Sequence, residues 1–580
     1  MTIIFHLIND LAKLLIRKDK LKLFFLFLLI ITNVFVEMIG IGVIFPLLGF
    51  LISEKFTNEY IQYLYFLNNF FVLNNKNLVI FFSIILIIIF LIKNLFFFFF
   101  SFLKYKFTYG LLNYFSAKLY KRYIDSDYIY FTNINSSIPI RNIENVGIFT
   151  EGINQFFFLI IELIFIFSIL ILLFYVSYES TLIIITIILI SFFLLRFLTK
   201  KKLILLGNDR QFFLKKKIQT LYETLQSIKE IKIYFSEQFF LNKYNLNNIK
   251  YSHTARMFET YQSLPRIWLE ILSVTSLSLI LISMLFLIQD PQLVISIVAI
   301  FGVSSVRIIP SLNRLLSSFQ FLIHYGSIIK TTINELKIAE NLAKEIEVKQ
   351  SNIDFCNYNL KKSIEIKNLS FSYDNKEILK DINIYIRKNS VIGITGKTGS
   401  GKSTLANILV GILKFKHGKI LFDGKHDIND IIRKNKKLFG YIPQSTFLID
   451  DTVKNNVAFG EEESEFDSEL FWRSLKISKI EEFVKSLPNK ENEIVGERGI
   501  RISGGQIQRL GIARALYRKP EILILDEATS SLDIETENLF IEAISQIKDK
   551  ITMIIISHRL STLKICDEVY EIRGGKLLLN

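Results

Sequence analysis

The residue types best suited to chemistry form a glycine-rich run at 396–404, which reads Gly-Lys-Thr-Gly-Ser-Gly-Lys-Ser-Thr. A β-branched stretch at 390–395 precedes the run and an apolar stretch at 405–413 follows it, which predicts a strand, a phosphate-binding loop and a helix. The backbone N–H groups of such a loop turn toward the β- and γ-phosphates of a nucleotide. The predicted nucleotide contacts are Gly396, Lys397, Thr398, Gly399, Ser400, Gly401, Lys402, Ser403 and Thr404, with Lys402 as a point charge and Ser403 as a Mg²⁺ ligand.

Two carboxylates stand at the end of a second apolar run, at 522–525. This run has the pattern of a buried strand, and Asp526 and Glu527 follow it directly. Ligands of open α/β sheets lie at the carboxyl ends of the strands, so both carboxylates are expected beside the phosphates. Asp526 suits the metal shell, and Glu527 suits a base or positioning group for the attacking water.

The first 330 residues have the composition of a membrane protein. Hydrophobic residues make up 51% of the chain, with 54 Phe and only 8 Pro. Six stretches are apolar enough to cross a bilayer, and all but the fourth reach the roughly 20 residues that a core of about 30 Å requires. They lie at 23–51, 78–103, 146–176, 182–197, 264–287 and 293–316.

Basic residues predict the orientation of these stretches. Lys and Arg concentrate before the first stretch and directly after the fourth, so both termini and the long segments 104–145 and 198–263 are expected in the cytoplasm. The segments are expected to be helical extensions of the spans. Much of the net charge of +15 falls there, beside an anionic membrane face, so membrane lipids explain it and no nucleic-acid partner is needed. The two cysteines imply neither a disulfide framework nor a zinc site.

After residue 361 the sequence pattern changes to short β-rich runs and charged helices. The predicted organisation is a transmembrane domain at 1–335, a polar linker at 336–361 and a nucleotide-binding domain at 362–580. Strands are expected at 364–372 and 382–386, and a helical stretch at about 469–487. The fold class is therefore a polytopic helical membrane domain with six spans, followed by an α/β P-loop domain.

The order of motifs after residue 361 resembles an ATP-binding cassette, the ATPase domain of ABC transporters. The resemblance makes Glu527, His558 and Gln444 catalytic groups and places Ser403, Gln444 and Asp526 at Mg²⁺. It assigns Tyr373 to adenine stacking and Asp533 to the loop that follows the catalytic carboxylate. The ABC signature is identified as Ser503, Gly504, Gly505 and Gln506, preceded by Ile502 where the family usually has Leu.

The resemblance implies ATP and Mg²⁺ as cofactors and a dimer with two composite sites, because the signature of one subunit closes over ATP held by the other. One cassette per chain with Glu527 present implies a homodimer in which both sites hydrolyse ATP. Six spans that precede the cassette, with two long cytoplasmic segments, resemble an exporter-type half-transporter. The expected location is the bacterial inner membrane, multi-pass, with the nucleotide-binding domain in the cytoplasm.

Charged residues inside spans are costly and therefore candidates for substrate contacts. They are Lys93, Arg266, Arg307 and Arg314. Arg307 and Arg314 lie seven residues apart and hence on one helix face. A cationic stripe in a cavity would hold a phosphate or pyrophosphate. In the alternative, these side chains snorkel to the interface or pair with Glu151, Glu162 or Glu270.

Several segments are also similar to bacterial lipid-linked oligosaccharide flippases of protein N-glycosylation. They are residues 228–233 ahead of Glu237, residues 264–270, and an amphipathic outer segment at 53–77. The resemblance implies transport of a polyprenyl-pyrophosphate-linked glycan to the outer leaflet, with Arg266, Arg307 and Arg314 at the pyrophosphate. The alternatives are export of another lipid, such as a lipopolysaccharide precursor, or of a peptide, and a membrane ATPase that regulates a partner without transport.

Overall fold

A computed structural model describes residues 13–52, 75–135, 137–287, 291–350, 358–373, 376–435, 437–496, 502–529 and 534–579. The chain divides into two compact units. The first unit comprises 1–126 and 134–345, and the second comprises 127–133 and 346–580. The sequence predicts roles for an outer segment at 53–77 and for Asp533. Of these, residues 53–74 and Asp533 lie outside the described residues.

The described part of the first unit is helical, and all but one of its helices are long. They are α1 (Arg17–Ile52), α2 (Asn75–Asp125), α4 (Ser137–Val176), α5 (Tyr178–Gln226), α6 (Ile228–Ile233), α7 (Glu237–Leu287), α8 (Pro291–His324) and α9 (Gly326–Gln350). Six of the described helices are long and apolar enough to cross a membrane, as predicted. The long polar segments continue these helices on both sides of short connections, at 126–136 and 227–236, which confirms that they are helical extensions. The fourth predicted span, only 16 residues long, lies inside the 49 residues of α5.

The predicted polar linker at 336–361 begins as regular helix, because α9 continues to Gln350. The proposed limits of the transmembrane domain, the linker and the nucleotide-binding domain remain a prediction. A short helix, α3 (Tyr128–Asn133), belongs to the second unit although it lies early in the chain. There Lys414 Nζ lies 2.6 Å from Asp127 Oδ1, and Ile129 packs against the core of the unit.

Two sheets organise the second unit. The first has the order β2-β1-β4-β5 and is antiparallel. The second has the order β10-β9-β3-β8-β7-β6, and its strands from β9 to β6 are parallel. The strands are β1 (Ser363–Tyr373), β2 (Lys376–Arg387), β3 (Val391–Gly396), β4 (His417–Phe422), β5 (His426–Asp427), β6 (Phe439–Ile442), β7 (Ile522–Asp526), β8 (Thr552–Ile556), β9 (Glu568–Arg573) and β10 (Lys576–Leu579).

Helices complete this unit. They are α10 (Lys402–Leu409), α11 (Ile428–Lys434), α12 (Val453–Val457), α13 (Ser468–Ile477), α14 (Glu481–Ser486), α15 (Gly504–Tyr517), α16 (Ile534–Ser545) and α17 (Leu560–Leu563). The predicted helical stretch at 469–487 is divided into α13 and α14. Lys479, between them, has a φ of 55°, which a continuing helix excludes. All five residues of β7 and of β8 are buried, which explains their uninterrupted apolar sequences.

Close packing of helices in the first unit depends on Gly207 of α5. A Cβ atom at this position would collide with the carbonyl oxygen of His324, at the end of α8. The His324 ring also stacks on Phe258 of α7, with centroids 3.9 Å apart. Three helices therefore meet where Gly207 lacks a side chain.

We expect Gly207→Ala to destabilise the protein by about 1–3 kcal/mol, because the added methyl group forces α5 and α8 apart. Gly110→Ala in α2 is the matched control, since a Cβ there meets no atom within 4 Å. Thermal unfolding of the detergent-solubilised protein should show a lower midpoint for Gly207→Ala and an equal or higher one for Gly110→Ala. Equal midpoints for both variants would contradict this account of the packing.

Candidate functional site

A glycine-rich loop joins β3 to α10 in the second unit. β3 ends at Gly396 and α10 begins at Lys402, so the five residues 397–401 form the turn between them. Gly399 and Gly401 have φ values of 79° and 107°, the left-handed region that side chains disfavour. These glycines therefore let the loop turn back over the first turn of α10, which contains Ser403 and Thr404.

Lys402 lies at the centre of the site and its side chain is only 4% exposed. Its ammonium group donates to the carbonyl oxygens of Gly396 and Lys397 over 2.9 Å and 3.2 Å. Glu527 Oε1 lies 3.5 Å from the same ammonium group and is its carboxylate partner. A phosphate at the loop would add a second anion to a buried cation that has one carboxylate partner.

Asp526 faces the beginning of α10 from the carboxyl end of β7. Its Oδ1 accepts a hydrogen bond from Ser403 Oγ over 3.0 Å, and its Oδ2 accepts one from the Tyr441 hydroxyl over 3.1 Å. Burial raises the pKa of Asp526, and the two hydrogen bonds oppose that rise. Burial and the Asp526 carboxylate together raise the pKa of Tyr441. Tyr441 therefore remains a neutral donor that orients the carboxylate.

The other two predicted catalytic groups, Gln444 and His558, lie within hydrogen-bonding distance of Glu527. Gln444 Nε2 donates to Glu527 Oε2 over 3.0 Å, and His558 Nε2 lies 3.3 Å from Glu527 Oε1. His558 Nε2 also lies 2.8 Å from Lys402 Nζ. Glu527 itself has a φ of 49°, a conformation that is strained for a residue with a side chain. Its backbone N–H donates to Ile556 at the end of β8, which fixes this turn.

The residues present suit a magnesium–nucleotide complex. Ser403, Asp526 and Gln444 supply hydroxyl, carboxylate and amide oxygens, the hard ligands that Mg²⁺ prefers. The Ser400 hydroxyl, in the middle of the loop, is buried without a hydrogen-bond partner. A phosphate oxygen at the loop would satisfy that donor.

The signature residues begin α15 and are held locally. The Ser503 hydroxyl accepts from the Gln506 backbone N–H, and the Gln506 side chain accepts from the Ser503 N–H, which forms a reciprocal cap. Gly504 and Gly505 are the first two residues of the helix. Tyr373 ends β1 with its ring partly exposed, 4.9 Å from the ring of Phe371.

In the first unit, three predicted substrate cations form one cluster with two carboxylates. We call Lys93, Arg307, Arg314, Glu37 and Glu162 the membrane charge cluster. Glu37 of α1 lies 3.2 Å from Lys93 Nζ and also pairs with Arg307. Glu162 of α4 lies 2.5 Å from Arg314 Nε. Both carboxylate side chains are 6% exposed, and Arg314 is near enough to repel the other two cations.

Arg266, the fourth predicted substrate cation, has different surroundings. It pairs with Glu270 one turn along α7 over 3.4 Å, and its side chain is 76% exposed.

Sequence reasoning missed Glu37 and the role of Tyr441. Glu37 is the only acidic residue in the first apolar stretch, so the rule that drew attention to the span arginines applies equally to it. No sequence signal marks Tyr441, because its contact depends on β6 and β7 being neighbours.

An α/β P-loop unit and a unit of membrane-spanning length in one chain define a membrane-bound nucleotide-using protein. Comparison with known families supports this class. Residues 379–530 match the ABC transporter family, and residues 23–309 match the ABC transporter transmembrane region.

Two relatives have names that refer to multidrug resistance. One is the multidrug resistance-like ATP-binding protein MdlB of Buchnera aphidicola subsp. Schizaphis graminum, 43% identical over 202 residues, which are 34% of this chain and 34% of that protein. Another is the multidrug resistance ABC transporter ATP-binding and permease protein of Lactococcus lactis, 38% identical over 197 residues, 34% of this chain and 33% of that protein. Each match thus spans about a third of the relative's length.

A solved structure of a bacterial Atm1-family ABC exporter with ATP bound has the same fold. It superposes with a TM-score of 0.74 and 18% identity over 96% of this chain and 95% of that chain. The chain belongs to the ABC transporters, with a membrane domain followed by an ATP-binding domain, and it has the fold of that exporter.

We expect Asp526→Asn to stabilise the protein while it abolishes ATP hydrolysis. Because folding raises the pKa of Asp526, the charged carboxylate costs stability above its unfolded pKa, about 3.9, and the cost disappears below it. At neutral pH the unfolding midpoint of the nucleotide-free variant should lie above that of the wild type. A midpoint lower than that of the wild type at neutral pH would contradict this assignment.

Proposed function

We propose that the protein is a homodimeric, ATP-driven flippase of the bacterial inner membrane. Its proposed substrate is an amphipathic polyprenyl-pyrophosphate-linked oligosaccharide, which it moves from the inner to the outer leaflet. Both termini and the ATP-binding domain lie in the cytoplasm in this proposal. The observation that carries the substrate class is the membrane charge cluster, which contains three cations and two carboxylates.

Hydrolysis in this proposal uses the residues gathered around the phosphate loop. Ser403, Asp526 and Gln444 would hold Mg²⁺, which would offset negative charge on the phosphate oxygens. Lys402 binds the β- and γ-phosphates, and Glu527 accepts a proton from the water that attacks the γ-phosphorus as the bond to the bridging oxygen breaks. His558 and Gln444, both within hydrogen-bonding distance of Glu527, orient it for that step.

The dimer follows from the position of the signature in the ABC family. Ser503, Gly504, Gly505 and Gln506 begin α15, where helix N–H groups attract anions. In the proposed dimer they close over ATP held by the other subunit, together with Asp533. Tyr373 stacks on the adenine, and two ATP molecules bring the cassettes together.

The head group of the substrate is assigned from charge. Burying a cation without a partner is expensive, so Glu37 and Glu162 offset two of the three positive charges in the cluster. One positive charge remains in excess, at the depth of the spans. A pyrophosphate carries enough negative charge to bind Arg307 and Arg314 together, and Lys93 beside them. Arg266, exposed on α7, would contact the head group on entry.

Export of apolar drugs is the second candidate function. The names of the relatives from Buchnera and Lactococcus favour it, whereas the excess cationic charge favours an anionic lipid. Another lipid, such as a lipopolysaccharide precursor, fits the same cluster. The membrane charge cluster has no role if the substrate is a peptide. It also has no role if ATP hydrolysis regulates a partner without transport.

We expect ATP-dependent flipping of a labelled polyprenyl-pyrophosphate oligosaccharide in liposomes by the wild type only. Glu527→Gln should reduce ATP hydrolysis by at least about 100-fold, within the range attributed to a general base. The double variant Arg307→Ala/Arg314→Ala should retain ATP hydrolysis but not flip the lipid. Lys200→Ala, an exposed cation outside the cluster, is the matched control. Hydrolysis without flipping by the wild type would refute the proposed substrate.

A second test concerns Glu37. Glu37→Gln leaves Lys93 and Arg307 without their carboxylate, so we expect the unfolding midpoint to fall by about 5 °C or more. The polyprenyl-pyrophosphate lipid should restore the midpoint in this variant and raise it less in the wild type, because it replaces the lost anion. Glu270→Gln removes a carboxylate from an exposed pair and is the control. A lipid-induced rise no larger than that of the wild type would argue against head-group binding at the cluster.

A further inference from the structure

An apolar groove separates four helices of the first unit. Its walls come from α4, α5, α7 and α8, and its volume is about 410 Å³. We call it the leaflet groove and define it by Ile166, Ile188, Leu272, Phe301, Ile308 and Phe319. Most of the lining side chains are hydrocarbon, and they lie in spans, so apolar molecules dissolved in the bilayer are those that can fill the groove.

The length of the groove matches one leaflet. Along α5 its lining extends from Ile184 to Arg196. At 1.5 Å per residue, this distance is about 18 Å. Half of a hydrocarbon core of about 30 Å is about 15 Å. A single acyl chain that begins at the membrane surface therefore spans the groove from end to end.

A cation stands at one end of the leaflet groove. Arg196 is part of the lining, and its guanidinium packs on the ring of Phe319 with 5.6 Å to the centroid. Within the described part of the chain, no carboxylate forms an ion pair with Arg196. Lys200 and Lys201 follow one turn later on α5, with exposed side chains. This basic end marks the cytoplasmic surface, where phospholipid phosphates lie.

We infer that the leaflet groove binds one acyl chain of an acidic phospholipid from the cytoplasmic leaflet, with the phosphate of that lipid at Arg196. The phosphate supplies the anion that Arg196 lacks, and the chain covers the apolar walls. The groove and the membrane charge cluster share no residue. The bound phospholipid is thus a lipid ligand of the protein, separate from the proposed transported substrate.

The test is lipid binding by the purified full-length protein, measured by native mass spectrometry with phosphatidylglycerol or phosphatidylcholine of the same chain length. We expect the wild type to retain phosphatidylglycerol in preference to phosphatidylcholine. Arg196→Gln should weaken phosphatidylglycerol binding about tenfold, because it removes one charge-assisted contact of about 1.5 kcal/mol or more. Lys201→Gln removes the same charge outside the groove and should bind as the wild type does.

A second variant tests the acyl chain. Ser305→Phe adds an aromatic ring to the lining and leaves Arg196 unchanged, so we expect it to lower retention of phosphatidylglycerol as well. Three results would overturn the inference. The first is equal retention of both lipids by the wild type. The second is an equal loss of phosphatidylglycerol binding in Arg196→Gln and Lys201→Gln. The third is displacement of phosphatidylglycerol by an equimolar polyprenyl phosphate, which would make the groove a site for the transported lipid. None of these readouts depends on flipping.

Discussion

The removal of charge from water is the constraint on which both units of this protein depend. In the ATP-binding unit, the Lys402 ammonium is almost fully buried and is held by two loop carbonyls and the Glu527 carboxylate. In the membrane unit, the buried carboxylates of Glu37 and Glu162 are held by three cations. A buried charge is tolerated only with partners of opposite charge, so each region is arranged around such pairs.

The two units achieve these pairings by different means. Parallel strands bring the loop after β3, the carboxylates after β7 and His558 after β8 to one edge of one sheet, so residues far apart in sequence need little further positioning. The membrane unit uses helix packing instead. Its cluster joins α1, α2, α4 and α8, and each helix contributes one or two charged side chains.

Much of this arrangement could be predicted from the sequence. The phosphate loop, the buried strand before Asp526 and the six apolar stretches each have a local pattern with one physical explanation. The contact of Tyr441 with Asp526 could not be predicted, because it requires β6 beside β7, a pairing of distant segments. The partners of Arg307 could not be chosen either, since Glu37 lies 270 positions earlier in the sequence. The break between α13 and α14 contains Lys479, whose φ of 55° has no signal in the local sequence pattern.

The central claim is that the protein recognises the negative charge of a lipid head group inside the membrane. The most direct measurement compares ATP-dependent flipping of three lipids with the same polyprenyl chain and glycan, joined by a pyrophosphate, a monophosphate or a neutral link. The account predicts the fastest flipping for the pyrophosphate, slower flipping for the monophosphate and none for the neutral lipid. Equal rates for all three would show that the cations pair only with Glu37 and Glu162 and do not select the substrate.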